Sequence, residues 1–285
     1  MQPQVTPITD QIANISPLYI VLAVLGFTLL RIVLAKAEQP WARAVAETCD
    51  TINFVLILAF LLVRPFVAQA FYIPSESMEN TLLTGDRLIV DKFSYRLREP
   101  KKGDVVVFQA PARAADGVPG VDFIKRCVAT PGDTIEVRGA RLQLGAEEIG
   151  PDYYSGQGAH GYVRDALGLS EEQEIKFLPD GLLVDSTRKM SKQEIAQKLG
   201  RVGQPIVIVP GRTLINGKPA REEYVREDPS YDMAPRRLEP GEMFMLGDNR
   251  NRSKDSHIWG VLERKSVVGR ATFVFWPPAR AGSIR

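Results

Sequence analysis

The 285-residue chain is 45% hydrophobic and 25% charged, enough apolar material for one sizeable folded domain with further segments attached, and far from a disordered composition. Its 36 basic and 34 acidic residues leave a formal charge of +2 and are spread along the length, so the clustered basic footprint of a nucleic-acid binder is missing and nucleic acid is excluded as a partner. Cys49 and Cys127 stand in unlike surroundings, which argues against a disulfide. The two histidines, His160 and His257, have no close Cys, Asp or Glu cluster, so the chain is expected to hold no metal and no cofactor.

Pro17 to Ala35 is apolar apart from Arg31, and Ile52 to Phe71 is apolar apart from Arg64; both approach the roughly 20 residues of a spanning helix. No Lys or Arg precedes Pro17, so the first run reads as an anchor rather than a signal peptide with its basic n-region. Lys36 and Arg43 lie between the two runs, with Arg31 at the edge, against Asp10 alone in the first 17 residues. Positive charge marks the cytoplasmic loop. The expected order is therefore an outer-face tail at 1–16, transmembrane helix 17–35, cytoplasmic loop 36–50, transmembrane helix 51–71, and the remainder on the outer face. Ala68-Gln69-Ala70 forms an A-x-A pattern of the kind found at signal-peptide cleavage sites, but Arg64-Pro65 interrupts the apolar run before it, which favours an anchor.

Beyond Phe71 the chain turns to short β-type runs such as Arg87–Val90, Asp104–Phe108, Thr134–Val137, Pro205–Val209 and Ala271–Phe275. Pro131-Gly132-Asp133 and Asn216-Gly217 punctuate them, the latter a strong two-residue hairpin turn. The fold class is thus mainly β, a β-rich catalytic domain at 72–139 and 210–285 carried by two N-terminal transmembrane helices. Residues 140–209 depart from the pattern, with a Gly-rich loop at Ser155–Gly158 and capping boxes at Ser170/Gln173 and Ser191/Glu194 that each predict a short helix. They read as an inserted α/β subdomain of no assigned role.

Three segments carry chemistry. Phe71-Tyr-Ile-Pro-Ser-Glu-Ser-Met-Glu-Asn-Thr-Leu-Leu-Thr-Gly-Asp86 presents two serines around one residue; alone it reads as a plain turn. Asp122-Phe-Ile-Lys-Arg-Cys-Val-Ala-Thr-Pro-Gly-Asp133 puts a lysine inside an apolar strand-like run, where Lys125 shares a face with Phe123 and Cys127. The bland alternative there is an amine that snorkels to solvent. Gly247-Asp-Asn-Arg-Asn-Arg-Ser-Lys-Asp-Ser-His-Ile-Trp-Gly260 is a dense polar loop. Together they supply hydroxyls, a semi-buried amine and a polar brace, the inventory for a serine nucleophile activated by lysine.

At these residues the chain closely resembles the bacterial type I signal peptidases, whose blocks read Ser-x-Ser-Met-x-Pro-Thr-Leu, Gly-Asp, Asp-Tyr-Ile-Lys-Arg-x-x-x-x-Pro-Gly-Asp and Gly-Asp-Asn-Arg-x-x-Ser-x-Asp-Ser. The resemblance covers about residues 50–137 and 205–280, with four blocks in order. It implies Ser77 as nucleophile and Lys125 as general base, with Ser75 and the Ser77 N–H receiving the oxyanion. It further implies that Ser253 orients the amine and Asp255 braces the site. Phe71, Ile73, Met78, Leu82, Leu88, Val107, Phe123 and Ile124 would wall pockets for small side chains. The implied activity is cleavage of signal peptides from exported preproteins after a small-x-small motif, with the bilayer and the secretion machinery as further partners. The implied location is the bacterial plasma membrane, multi-pass, catalytic domain on the periplasmic face; the ending Trp276–Ile284 resembles photosynthetic-bacterial members and leaves a thylakoid membrane open.

The pattern is broken at Asn80, where the family has Pro, and at His257, where an Arg is common. The first is expected to loosen the turn after the nucleophile, and the second to make the partner of Asp255 dependent on pH. Competing readings are a membrane-anchored Ser-Lys autoprotease of a regulator, a Ser-His-Asp hydrolase built on His257, and a non-catalytic membrane scaffold.

Overall fold

The computed structural model describes residues 17–36, 39–59, 67–118, 120–153 and 158–285. The expected tail at 1–16, the Arg64-Pro65 interruption and most of the Ser155–Gly158 loop lie outside them. The chain divides into two compact units, one of residues 1–73, 85–99 and 269–284, the other of 74–84, 100–268 and 285. The two-part domain expected at 72–139 and 210–285 is thus shared between both units.

The first unit begins with helices α1, Pro17–Leu34, and α2, Pro40–Leu56. Thr28 and Asn53 join them by a 3.1 Å hydrogen bond, and Arg31 pairs with Asp50 at 3.0 Å. Among the described residues no helix is long and apolar enough to cross a membrane. At about 1.5 Å per residue, the 18 residues of α1 span roughly 27 Å, just short of the roughly 30 Å hydrocarbon core. The expected limits shift: the 36–50 loop gives way to α2 from Pro40, because a proline in the first turn presets the helical φ and no breaker follows before Leu56. The last four residues of the expected 51–71 span are strand.

That strand, β1, Ala68–Tyr72, pairs with β2, Arg87–Asp91, bringing Phe71 opposite Leu88. Strand Val267–Trp276 continues the sheet beside β2, and Gly282–Ser283 closes it. The Asp86 carboxylate accepts hydrogen bonds from Arg280 Nε and Nη2, the shortest from each at 2.9 Å. The Gly85-Asp86 block is therefore a strut.

The second unit is built from antiparallel ladders. β3, Val105–Gln109, pairs with β4, Asp122–Ala129. β5, Thr134–Arg138, leaves the Thr130–Asp133 turn, in which Gly132 takes a positive φ of 88° and the Asp133 carboxylate accepts the Thr130 N–H at 3.0 Å. β6, Arg141–Leu144, and β7, Glu147–Ile149, form a hairpin. After α3, Ala159–Leu167, a meander of β8, Ile175–Leu178, β9, Gly181–Val184, and β10, Arg188–Ser191, leads into α4, Lys192–Lys198. Ser191 caps α4 by accepting the Glu194 N–H, as the capping box predicts. The Ser170/Gln173 box closes a turn and no helix: Gln173 accepts the Ser170 N–H, but the chain then enters β8. The helix lies before it. Ala159, Val163 and Leu167 at four-residue spacing, with Gly168 left-handed at φ 64°, are its signature.

β11, Ile206–Val209, returns beside β6, so the 140–209 segment is closed at its root. It owns an apolar core that includes Leu142, Leu144, Val163, Ile175, Phe177, Leu182, Ile195 and Ile208. Arg164, Ile175 and Asn251 all donate to the Glu227 carboxylate, which seats the segment on the polar loop at 250–252. β12, Arg212–Ile215, and β13, Lys218–Pro219, turn on Asn216 and Gly217 at φ 53° and 77°, both positive as a type I′ hairpin requires. β14, Met233–Arg237, flanks β5; β15, Glu242–Leu246, flanks β4 and carries β16, Leu262–Glu263. Cys127 on β4 is fully buried, and burial, aided by Asp104 and Asp133, pushes its thiol up to about 12.

Candidate active site

Ser77 lies in a 3-10 turn, Glu76–Met78, that follows the extended Ser75. Its carbonyl accepts the Asn249 N–H at 3.1 Å, so the turn is held by the polar loop that follows β15. Asn80 stands two residues after the turn at φ 93°. Proline, fixed near −65°, cannot adopt that backbone. The Asn80 amide also reaches the Tyr224 carbonyl at 3.4 Å, so the expected loosening is replaced by a differently shaped, tethered turn.

Lys125 enters from β4, opposite Val106 of β3. Its amine donates to Ser77 Oγ at 2.7 Å and to the Ile124 carbonyl at 2.9 Å, and it stands 5.4 Å from the Phe123 ring centroid. The residue is 5% exposed, so the snorkelling alternative is not what the structure shows. Burial brings its pKa from 10.5 to about 8, against the opposing fields of Asp255 and Asp248. Ser75 Oγ lies 3.4 Å from Ser77 Oγ. A hydroxyl in direct contact with a largely deprotonatable amine is the geometry general-base activation needs.

These groups open into a cavity of about 400 Å³ lined by Pro74, Ser75, Ser77, Val121 to Lys125, Arg252 and Lys254. Of the expected pocket walls, Phe123 and Ile124 line it. Met78, Leu82 and Val107 are buried and do not. Phe71, Ile73 and Leu88 belong to the first unit, on β1, just after it, and on β2.

The expected brace is arranged as follows. Asp255, fully buried, accepts the Gly247 N–H at 2.9 Å and the His257 N–H at 3.1 Å, and its Oδ1 lies 2.6 Å from His257 Nδ1. Burial pushes its carboxyl up, but the His257 ring, the Gly247 N–H and the nearby Ser253 hydroxyl outweigh this and hold it below the usual range. Ser253 is buried beside Gly247, yet the amine of Lys125 bonds to Ser77 and Ile124, not to Ser253. Nor does His257 reach the hydroxyl of Ser77, whose side-chain partners are Lys125 and Ser75. The Ser-His-Asp alternative lacks its central contact.

Two buried arginines complete the scaffold, and the sequence reading passed over both. Arg126 pairs with Asp248 through 2.8 and 2.7 Å bonds, donates to Thr81, and lies 3.9 Å over the Tyr224 ring. Arg250 joins Glu222, Thr213 and the Gly247 carbonyl. The signal was present, since both are fixed positions of the quoted blocks, Arg126 in Ile-Lys-Arg and Arg250 in Gly-Asp-Asn-Arg. Among the described residues no His, Cys, Asp and Glu cluster is arranged to hold a metal.

The sequence profile described as "Signal peptidase, peptidase S26" matches residues 45–192 and 184–276. A signal peptidase I of Leptolyngbya laminosa is 32% identical over 251 residues, 87% of this chain and 88% of its own. The signal peptidase I of Aquifex aeolicus is 30% identical over 227 residues, 78% of this chain and 81% of its own. A probable thylakoidal processing peptidase 2 of Arabidopsis thaliana is 30% identical over 255 residues, covering 88% of this chain and 50% of that longer protein.

Proposed function

This chain belongs to the signal peptidase family, peptidase S26, and is a serine protease; from that premise we propose that it cuts signal peptides from exported preproteins with a Ser77–Lys125 dyad. The observation that carries the reading is the 2.7 Å contact between a buried lysine amine and a hydroxyl at the head of a cavity. Lys125 takes the proton as Ser77 Oγ attacks the carbonyl before the cut. The carbon–nitrogen bond then breaks, the amine leaves with the proton from Lys125, and an acyl-enzyme remains. Water, deprotonated by the same amine, releases the acid. The Ser75 hydroxyl and the Ser77 N–H are the proposed oxyanion donors.

An extended peptide fits between Pro74–Ser77 and Val121–Lys125, laying alternate side chains into one face. A cavity of about 400 Å³ that also takes the peptide backbone favours small residues there, hence small-x-small. The substrate reaches the site at a membrane. Leu18, Leu22, Leu25, Leu29, Ile32 and Val33 leave α1 with exposed apolar side chains, which supports burial of this helix in lipid. The secretion machinery that delivers preproteins is the partner this placement implies. The catalytic unit would face the periplasm, or the lumen of a thylakoid.

Incubating the detergent-solubilised protein with a preprotein and sequencing the new N-terminus tests the reading: the cut should follow small-x-small. Cleavage elsewhere, or of the chain itself alone, would favour the regulator autoprotease, and none at all the scaffold. A second expectation concerns Gly247, where an added Cβ would fall inside contact distance of the Ser77 carbonyl oxygen and Ser253 Oγ. Gly247→Ala should push the nucleophile turn aside and lower kcat on the order of 10²-fold while the protein still melts cooperatively. Unchanged kcat would show that the turn tolerates displacement.

A further inference from the structure

The 140–209 segment reaches the polar loop at several points, among them Glu171 beside Arg252 and the ring of Tyr153. Tyr153 stands edge-on to the His257 ring, with centroids 4.9 Å apart and planes at 80°. Tyr231 stacks on the same imidazole at 4.0 Å and 13°, and the two tyrosines meet each other edge to face at 5.6 Å. The imidazole is thereby held against two aromatic rings, and its side chain is 5% exposed. Its Nδ1 is aimed at Asp255 Oδ1, and the other oxygen of that carboxylate fixes Gly247. Gly247 in turn backs onto the carbonyl of Ser77.

We infer that Tyr153, carried in by the inserted segment, is a positioning residue for the peptidase reaction, acting through His257 and Asp255 on the loop that seats Ser77. Without Tyr153 the imidazole keeps one packed ring, Tyr231, and its χ2 is less constrained, so the Nδ1 contact that holds the Asp255 carboxylate, beside the Gly247 and His257 backbone N–H bonds, loses precision. A ring contact of this geometry contributes modestly to stability, so its larger consequence is angular. The phenol hydroxyl reaches the Ser253 carbonyl at 3.5 Å, and the positioning role rests on the ring contact. Asp255 also bears on Lys125 through its field, so a carboxylate that turns alters the base as well as the nucleophile. This gives the inserted segment a task in catalysis, and it rests on the peptidase reading above.

The test uses the full chain in detergent with a preprotein substrate, comparing Tyr153→Phe, Tyr153→Leu, His257→Gln and the Tyr153→Leu/His257→Gln double variant. Tyr153→Phe should keep kcat, and Tyr153→Leu should lower it about tenfold with KM within twofold. His257→Gln should cost a similar factor, and the double variant should be no worse than either single, the non-additivity expected of one mechanical chain. A purely structural tyrosine would show losses that multiply in the double variant and follow the melting temperature; that result, or a Tyr153→Leu enzyme with unchanged kcat, overturns the inference. A wild-type enzyme that cleaves no preprotein sinks the peptidase reading and this one with it, whereas an active wild type with an indifferent Tyr153 sinks only this one.

Discussion

Lys125→Met should abolish preprotein cleavage across pH 6 to 10 and at the same time make the protein harder to unfold. Methionine keeps the apolar stem and removes the amine that contacts Ser77. With the folded amine titrating at about 8, roughly a tenth is free base at pH 7 and half at pH 8, so wild-type activity should still climb through that range and level off above about 9. A histidine base would plateau near 6.5. The stability consequence has the opposite sign. Between pH 10.5 and 8 the unfolded lysine is charged while the folded one is neutral, so the native state loses stability as pH falls, and below about 8 the loss is complete, on the order of 3 kcal/mol. The Met variant escapes that cost. Thermal melts at pH 7 and pH 10 decide it: the variant's advantage should be large at the first and small at the second. An active Lys125→Met enzyme would end the Ser-Lys mechanism.

Ser77→Ala should be as inactive, losing about 10⁴-fold or more in kcat, for a different reason: no acyl-enzyme can form. Its stability should stay within about 1 kcal/mol of wild type, because Lys125 keeps the Ile124 carbonyl and the turn keeps its bond to Asn249. The variant should still bind preprotein, and co-purification with an uncut precursor is the measurement. Cleavage above trace rates would show that another group attacks.

Much of this site was readable in one dimension. Lys125 inside an alternating apolar run implied a face shared with Phe123, and the amine does lie near that ring. The Asn216-Gly217 turn and the Ser191 cap are local, and short-range rules describe them. What escaped is long-range. β2 pairs with a strand some 180 residues later, so no local pattern could divide the β-rich region into its two units. Tyr153 meets His257 across about 100 residues, and its segment was given no role because none of the motif blocks enters it. The helix Ala159–Leu167 has its own pattern and Gly168 stop, but the capping box at Ser170/Gln173 after it imitates a helix start while closing only a turn. Asn80 misled because a departure from a proline pattern says nothing about the φ the replacement adopts.

Cys127 lies two residues from Lys125 on the same strand, and the environment that lowers the amine raises the thiol. With its pKa near 12, only about one thiol in 10⁴ is thiolate at pH 8, and none of it meets solvent while β4 is paired. Alkylating reagents and oxidants are therefore blind to this sulfur in the closed protein, even in a compartment that oxidises exposed thiols. Its labelling rate is a clock for the opening of the catalytic strand, independent of any substrate.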